Sequence, residues 1–139
     1  MREGLLRPIP PSKAKAEGSM ADSLRWLSEA ERNMGVESFR TSVMASYMAM
    51  FHAARSILFI DGLREKSHYC IARYIEDKYV RKGRLESKWI EILDHQRETR
   101  HNSQYDTGFS ASLDDAEDAL ETAKSFVNRM QILLKERVR

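Results

Sequence analysis

Apolar residues return at steps of three and four along most of this chain, the spacing of helices with one dry face. The cleanest run is Leu113, Ala116, Leu120, Ala123, Val127, Met130 and Leu134. Ser110 or Ser112 is placed to cap that helix, Asp114, Asp115 and Glu117 suit its positive end, and Lys135, Arg137 and Arg139 its negative end. A second run, about Glu37 to Ile60, carries Phe39, Val43, Tyr47, Met50, Ala54, Ile57 and Leu58, with Met44, Met48 and Phe51 widening the apolar face. A helix apolar over so much of its girth belongs at the centre of a bundle.

The remaining elements follow from punctuation. Pro8, Pro10 and Pro11 oppose regular helix in residues 1–11, which are expected as a flexible leader. Ser12 caps a helix from Lys13 to Met34 that presents Met20, Leu24, Leu27 and Ala30, and Gly35 ends it. After Asp61-Gly62, Ser67 caps a third helix carrying Tyr69, Ala72, Ile75 and Tyr79, closed by Gly83. Leu85, Trp89, Ile92 and Leu93 form a fourth. No β-strand signal of any strength stands out. The expectation is one all-α domain over residues 1–139, an up-and-down bundle of about five helices.

Composition narrows the class. A chain of 139 residues, 42% hydrophobic and 32% charged, suits a globular bundle with wet outer faces. No apolar run reads as long enough to cross a membrane, and residues 1–15 lack the apolar core of a secretory signal. The single cysteine, Cys70, excludes an intramolecular disulfide and any multi-cysteine zinc site. These features favour a cytoplasmic location without a membrane partner. The net charge is +2, so any contact with nucleic acid has to be local.

The candidate chemistry sits where the fourth helix is expected to end, at Arg97-Glu-Thr-Arg100-His101-Asn102-Ser-Gln-Tyr105. An arginine here presents a planar fork of donors to phosphate. The plainer reading is a polar helix end, with His101 and Arg97 on terminal carbonyls and Tyr105 simply packing. Adjacent helix residues diverge by about 100°, so Arg100 and His101 are expected to share a site only where the helix bends or unwinds. Lys78, Arg81, Lys82 and Arg84 form a basic cluster that reads as a solvated helix end. His52 suits a paired role in the core, His68 a helix-start role, and Cys70 packing. His95 and His101 are six residues apart, which suggests no metal pair, and no glycine-rich phosphate loop is present. No metal site and no cofactor are expected.

The run from Ser46 to Arg55, Ser-Tyr-Met-Ala-Met-Phe-His-Ala-Ala-Arg, resembles the second-helix signature of HEPN-domain proteins. So do Ser67-His68, Tyr79-Val80 with Gly83 after it, and the arginine and polar residues leading to Tyr105-Asp106. The likeness spans roughly Ala14 to Leu134. It is strongest to the small prokaryotic branch in which an arginine is followed, after four residues, by tyrosine and aspartate.

This resemblance implies a helical homodimer that partners a minimal nucleotidyltransferase as a toxin–antitoxin pair and binds RNA or nucleotide phosphate. It also implies a metal-independent ribonuclease, whose motif runs Arg, then Asn, Asp or His, then a catalytic His four to six residues beyond the Arg. Arg100 and His101 match the first two positions; Tyr105 stands where the last histidine belongs. Arg100, His101 and Tyr105 become the candidate catalytic set, and Arg97, Arg100 and Asn102 the phosphate or nucleotide contacts. Tyr105 is also a candidate acceptor of AMP from the partner. A phenol with a pKa of about 10 is a poor base at neutral pH, so phosphate binding is better supported than turnover. The alternative is a non-catalytic helical dimer that binds a nucleotide or its partner.

Overall fold

The computed structural model describes residues 6–105 and 110–138, except the side chains of residues 102–105. Five α-helices account for most of them: α1 (Lys13–Gly35), α2 (Phe39–Ile60), α3 (His68–Ile75), α4 (Lys88–Tyr105) and α5 (Leu113–Val138). The expected all-α bundle is what forms.

Helix α2 is its axis, with fourteen of 22 residues buried. By length and composition α2 is apolar enough to cross a membrane, contrary to the sequence reading, yet most of it is buried inside the bundle. Helix α1 lies antiparallel along it, on a seam of small residues. Ser19, Ser23 and Ser42 donate their hydroxyls across that seam to the carbonyls of His52, Ala49 and Ala30 at 2.6–2.7 Å. Hydropathy counts those serines as polar, so the pattern mistook the buried face of α1: Leu24, expected inside, is 45% exposed.

Helix α5 runs parallel to α2. Val43 meets Ala116 and Ala119 at one end, and Arg137 Nε bonds Asp61 at 2.6 Å at the other. Its start is a reciprocal capping box: Ser112 Oγ accepts from the Asp115 amide, and Asp115 Oδ2 from the Ser112 amide.

Two expectations fail locally. Leu6–Pro8 is a short strand, β1, paired antiparallel with β2 (Leu63–Glu65), so residues 6–8 of the expected leader are fastened to the bundle. Leu6 is buried there, Ile9 donates to the Gly62 carbonyl at 3.0 Å, and three-residue strands are too short to show a period. The third helix widens after Ile75 into one π-turn, Glu76–Val80. That turn carries the Tyr79 ring into the core, and Gly83, at φ +73°, then reverses the chain.

Candidate functional site

Helix α4 does not stop at Arg97. No proline or glycine lies between Arg84 and Gly108, and the helix continues to Tyr105. Arg97, Arg100 and His101 are then related by three and four residues, so one face presents all three. With Glu98 and with His68 at the start of α3, they line an open cleft of about 420 Å³. The expectation that Arg100 and His101 need a bent helix to meet is therefore corrected: they flank the stripe that Arg97 centres. Asn102 and Tyr105, the other expected members, have side chains outside the described residues.

Each arginine is held by an aromatic face. The Arg100 guanidinium lies 5.9 Å from the Tyr47 ring centroid. Arg97 lies 5.2 Å from the Tyr69 ring, and Arg73 lies 5.1 Å from the same ring. Asp94 ties this group together, accepting from Arg97 Nη1 at 3.1 Å and from Arg73 Nη2. Tyr69, expected on the buried side of α3, is instead 43% exposed as the platform for both guanidiniums.

His68 and Tyr47 are the members that sequence reasoning missed. Tyr47 is 1% exposed and looked like one more core aromatic of α2. Its hydroxyl lies 2.9 Å from His68 Nδ1. The imidazole stacks on Phe51 with centroids 4.0 Å apart. Burial pushes the Tyr47 phenol up to about 12, against the pull of Arg97 and Arg100. Burial, then the positive charge of Arg100, holds His68 below the ordinary histidine value. At neutral pH the pair is an uncharged phenol beside an uncharged imidazole. The sequence signals that touched it were Ser67-His68 and the Ser46–Arg55 run that contains Tyr47.

The other candidates lie outside this cleft. Arg55 makes a two-pronged bond to Glu65 at 2.8 and 2.9 Å. His52 leaves Nδ1 buried without a partner, and burial with the neighbouring Arg55 charge lowers its pKa. Cys70 is buried with Sγ 2.9 Å from Ser67 Oγ. Lys78, Arg81, Lys82 and Arg84 are exposed, as expected for a solvated helix end. Among the described residues no group of three or more His, Cys, Asp or Glu side chains could hold a metal ion.

What the cleft can do chemically is hold an anion between two guanidiniums, with two imidazoles and a carboxylate at its walls. A model of the HEPN domain matches residues 16–133. A Methanocaldococcus jannaschii protein named "Putative toxin MJ0605" is 28% identical over 98 residues, 70% of this chain and 72% of that one. The Pyrococcus horikoshii "UPF0332 protein PH1297" is 31% identical over 58 residues, 42% of this chain and 41% of that protein's length.

Proposed function

The chain belongs to the HEPN domain family, and on that premise we propose that it is a toxin-like HEPN protein that binds RNA through the phosphate backbone at the α4 cleft. The observation that carries this reading is the convergence of Arg97, Arg100 and His101 on one cleft, of a size ordinary for small-ligand sites. Arg100, whose guanidinium lies over the Tyr47 ring at the wall of the cleft, is the principal phosphate contact. The likeness to a protein named as a toxin supports the biological role. The same reading extends to a homodimer and to a minimal nucleotidyltransferase as partner, with Tyr105 as the group that partner would modify.

Binding of a short single-stranded RNA, followed by fluorescence anisotropy, tests the central claim. Charge-assisted hydrogen bonds contribute about 1.5–3 kcal/mol, so Arg100→Ala is expected to weaken binding by about ten- to a hundredfold. It should also reduce the salt dependence by about 0.7 in the log–log slope for each phosphate that is no longer neutralised. Equal affinity in wild type and Arg100→Ala would remove the cleft from the account. The second reading, a non-catalytic nucleotide-binding module, draws on the tyrosine at position 105 where the family's ribonucleases carry histidine. It predicts a rise in melting temperature with AMP or ATP and no cleavage of RNA.

A further inference from the structure

Metal-free cleavage of RNA needs two proton-carrying groups, one for the 2′-hydroxyl and one for the departing 5′-oxygen. The helix that carries Arg100 supplies one imidazole to the cleft, His101. The structure brings a second from elsewhere in the chain. His68 opens α3, a position where a histidine ordinarily faces solvent, yet its ring packs against two aromatic side chains of α2. It stacks on Phe51 at 4.0 Å and runs beside Tyr47 at 5.7 Å, inclined by 26° and 25°. One nitrogen is fixed, Nδ1 against the Tyr47 hydroxyl at 2.9 Å. The ring itself lines the cleft with Arg97, Arg100 and His101. Nε2, on the opposite edge from Nδ1, is the nitrogen left for a ligand held by the two arginines.

We propose that His68, oriented by Tyr47, is the second proton-transfer residue of this cleft, working with His101 on an RNA phosphodiester held by Arg100. This rests on the RNA-binding reading above and deepens it. His68 Nε2 takes the proton of the 2′-hydroxyl as the 2′-oxygen attacks phosphorus. The bond from phosphorus to the 5′-oxygen breaks, and the leaving oxygen takes a proton from the His101 imidazolium. The products are a 2′,3′-cyclic phosphate and a 5′-hydroxyl, and proton transfer between the imidazoles through water restores the start. No metal, water nucleophile or redox partner enters the balance.

The local electrostatics suit the base role. The charged groups facing His68 are Arg100, Arg97 and Glu98 of α4, Arg55 of α2 and Glu65 of β2, three cations against two carboxylates. Burial first, and then the Arg100 charge, holds the imidazole below the ordinary histidine value. Tyr47 suits the orienting role because a hydroxyl both donates and accepts. It can donate to Nδ1 when Nε2 carries the proton, and accept from Nδ1–H when Nε2 is bare. The tyrosine is a positioning residue, and His68 is the group that touches the reacting atoms.

The test incubates a short single-stranded RNA with wild type, His68→Gln, Tyr47→Phe and Arg100→Ala in the presence of a chelator. Binding is read by anisotropy and cleavage by the termini of the products. Wild type is expected to give 2′,3′-cyclic phosphate ends. His68→Gln should bind RNA as wild type does and lose about a hundredfold or more in kcat, the usual worth of a general base. Tyr47→Phe, which keeps the ring in the core, should lower kcat by a smaller factor at unchanged KM and move the acid limb of the pH–rate profile. A purely structural tyrosine would change the melting temperature and leave that limb in place. Cleavage by His68→Gln at the wild-type rate overturns the inference. So does a wild type that binds RNA and leaves it intact, an outcome that spares the binding reading. A wild type that does not bind RNA removes both. If His68→Gln fails to fold, the Tyr47→Phe profile decides, and an unmoved acid limb rejects the pairing.

Discussion

Asp61 joins three elements through one carboxylate, and its removal is the sharpest test of how the bundle is closed. It sits at the C-terminal end of α2 with its side chain 3% exposed. Oδ2 accepts from the Tyr74 hydroxyl at 2.8 Å and the Tyr79 hydroxyl at 2.6 Å, while Oδ1 accepts from Arg137 Nε near the end of α5. Asp61→Ala orphans these donors unequally. The Tyr79 side chain is fully buried, and a stranded buried donor costs about 1–3 kcal/mol. Tyr74 is partly wet, and its hydroxyl can recover some bonding from water, for about 1 kcal/mol. The Arg137 side chain is 38% exposed and can turn outward, so after screening its share is about 0–1 kcal/mol. The expected loss is about 2–5 kcal/mol, a large part of a small domain's stability. Asp61→Asn keeps one acceptor for the phenols but aims an amide at the guanidinium, and should fall between wild type and alanine. Urea unfolding followed by circular dichroism measures both. A loss below about 1 kcal/mol for Asp61→Ala would mean that the three donors find water or each other, and that the carboxylate is not the closure.

Gly62→Ala should destabilise by about 2 kcal/mol, since φ is +79° there and a Cβ would stand 2.9 Å from Pro11 Cγ and 3.0 Å from the Ile9 carbonyl. An unchanged urea midpoint would refute the close approach of residues 9–11 to that turn. Stability should also fall in mild acid. His52 and His68 are both held below the ordinary value of about 6.5, so the unfolded chain binds more protons than the fold in that range. Stability is then complete above about pH 6.5 and declines as pH drops through the folded values, with a ceiling of about 1.4 kcal/mol per pH unit for each histidine. A melting temperature that stays flat from pH 7 to 5 in the double variant His52→Gln/His68→Gln, beside a fall in wild type, is the expected result. An equal fall in both would assign the effect to other groups.

The bundle was legible because α2 and α5 carry their apolar residues at helical steps and lie between clear breaks at Gly35, Asp61-Gly62 and Gly108. The errors have local physical causes. The α1 seam is closed by serine hydroxyls bonded to carbonyls, an arrangement that hydropathy reads as polar, so Leu24 took a place inside that Ser19 and Ser23 occupy. The strand at Leu6–Pro8 contains a proline and spans three residues, below any detectable period. At the cleft, Arg97, Arg100 and His101 were all legible as residues, but their common face required α4 to run two turns further than its apolar pattern did. Tyr47 and His68 are 21 positions apart and meet only because α3 folds back onto α2. Nothing in a one-dimensional pattern separates Tyr47 from the aromatics that merely fill the core.

The charge balance of the cleft bears on what kind of RNA contact it can make. Of the residues that line it, Arg97 and Arg100 stand against Glu98, leaving one net positive charge among these three. The whole chain carries only +2. Such a field does little to draw a polyanion from a distance, and it predicts a shallow salt dependence, about 0.7 in slope for each of one or two phosphates. Affinity must then come from geometry: a guanidinium fork held over the Tyr47 ring and a second braced between Asp94 and the Tyr69 ring. Preordering of this kind spares side-chain entropy on binding and favours a phosphate presented at one angle over the backbone in general. Breaking the brace with Asp94→Asn raises the net charge, and on electrostatics alone it should tighten binding. If the brace matters more than the charge, the same change weakens binding and spares the salt slope.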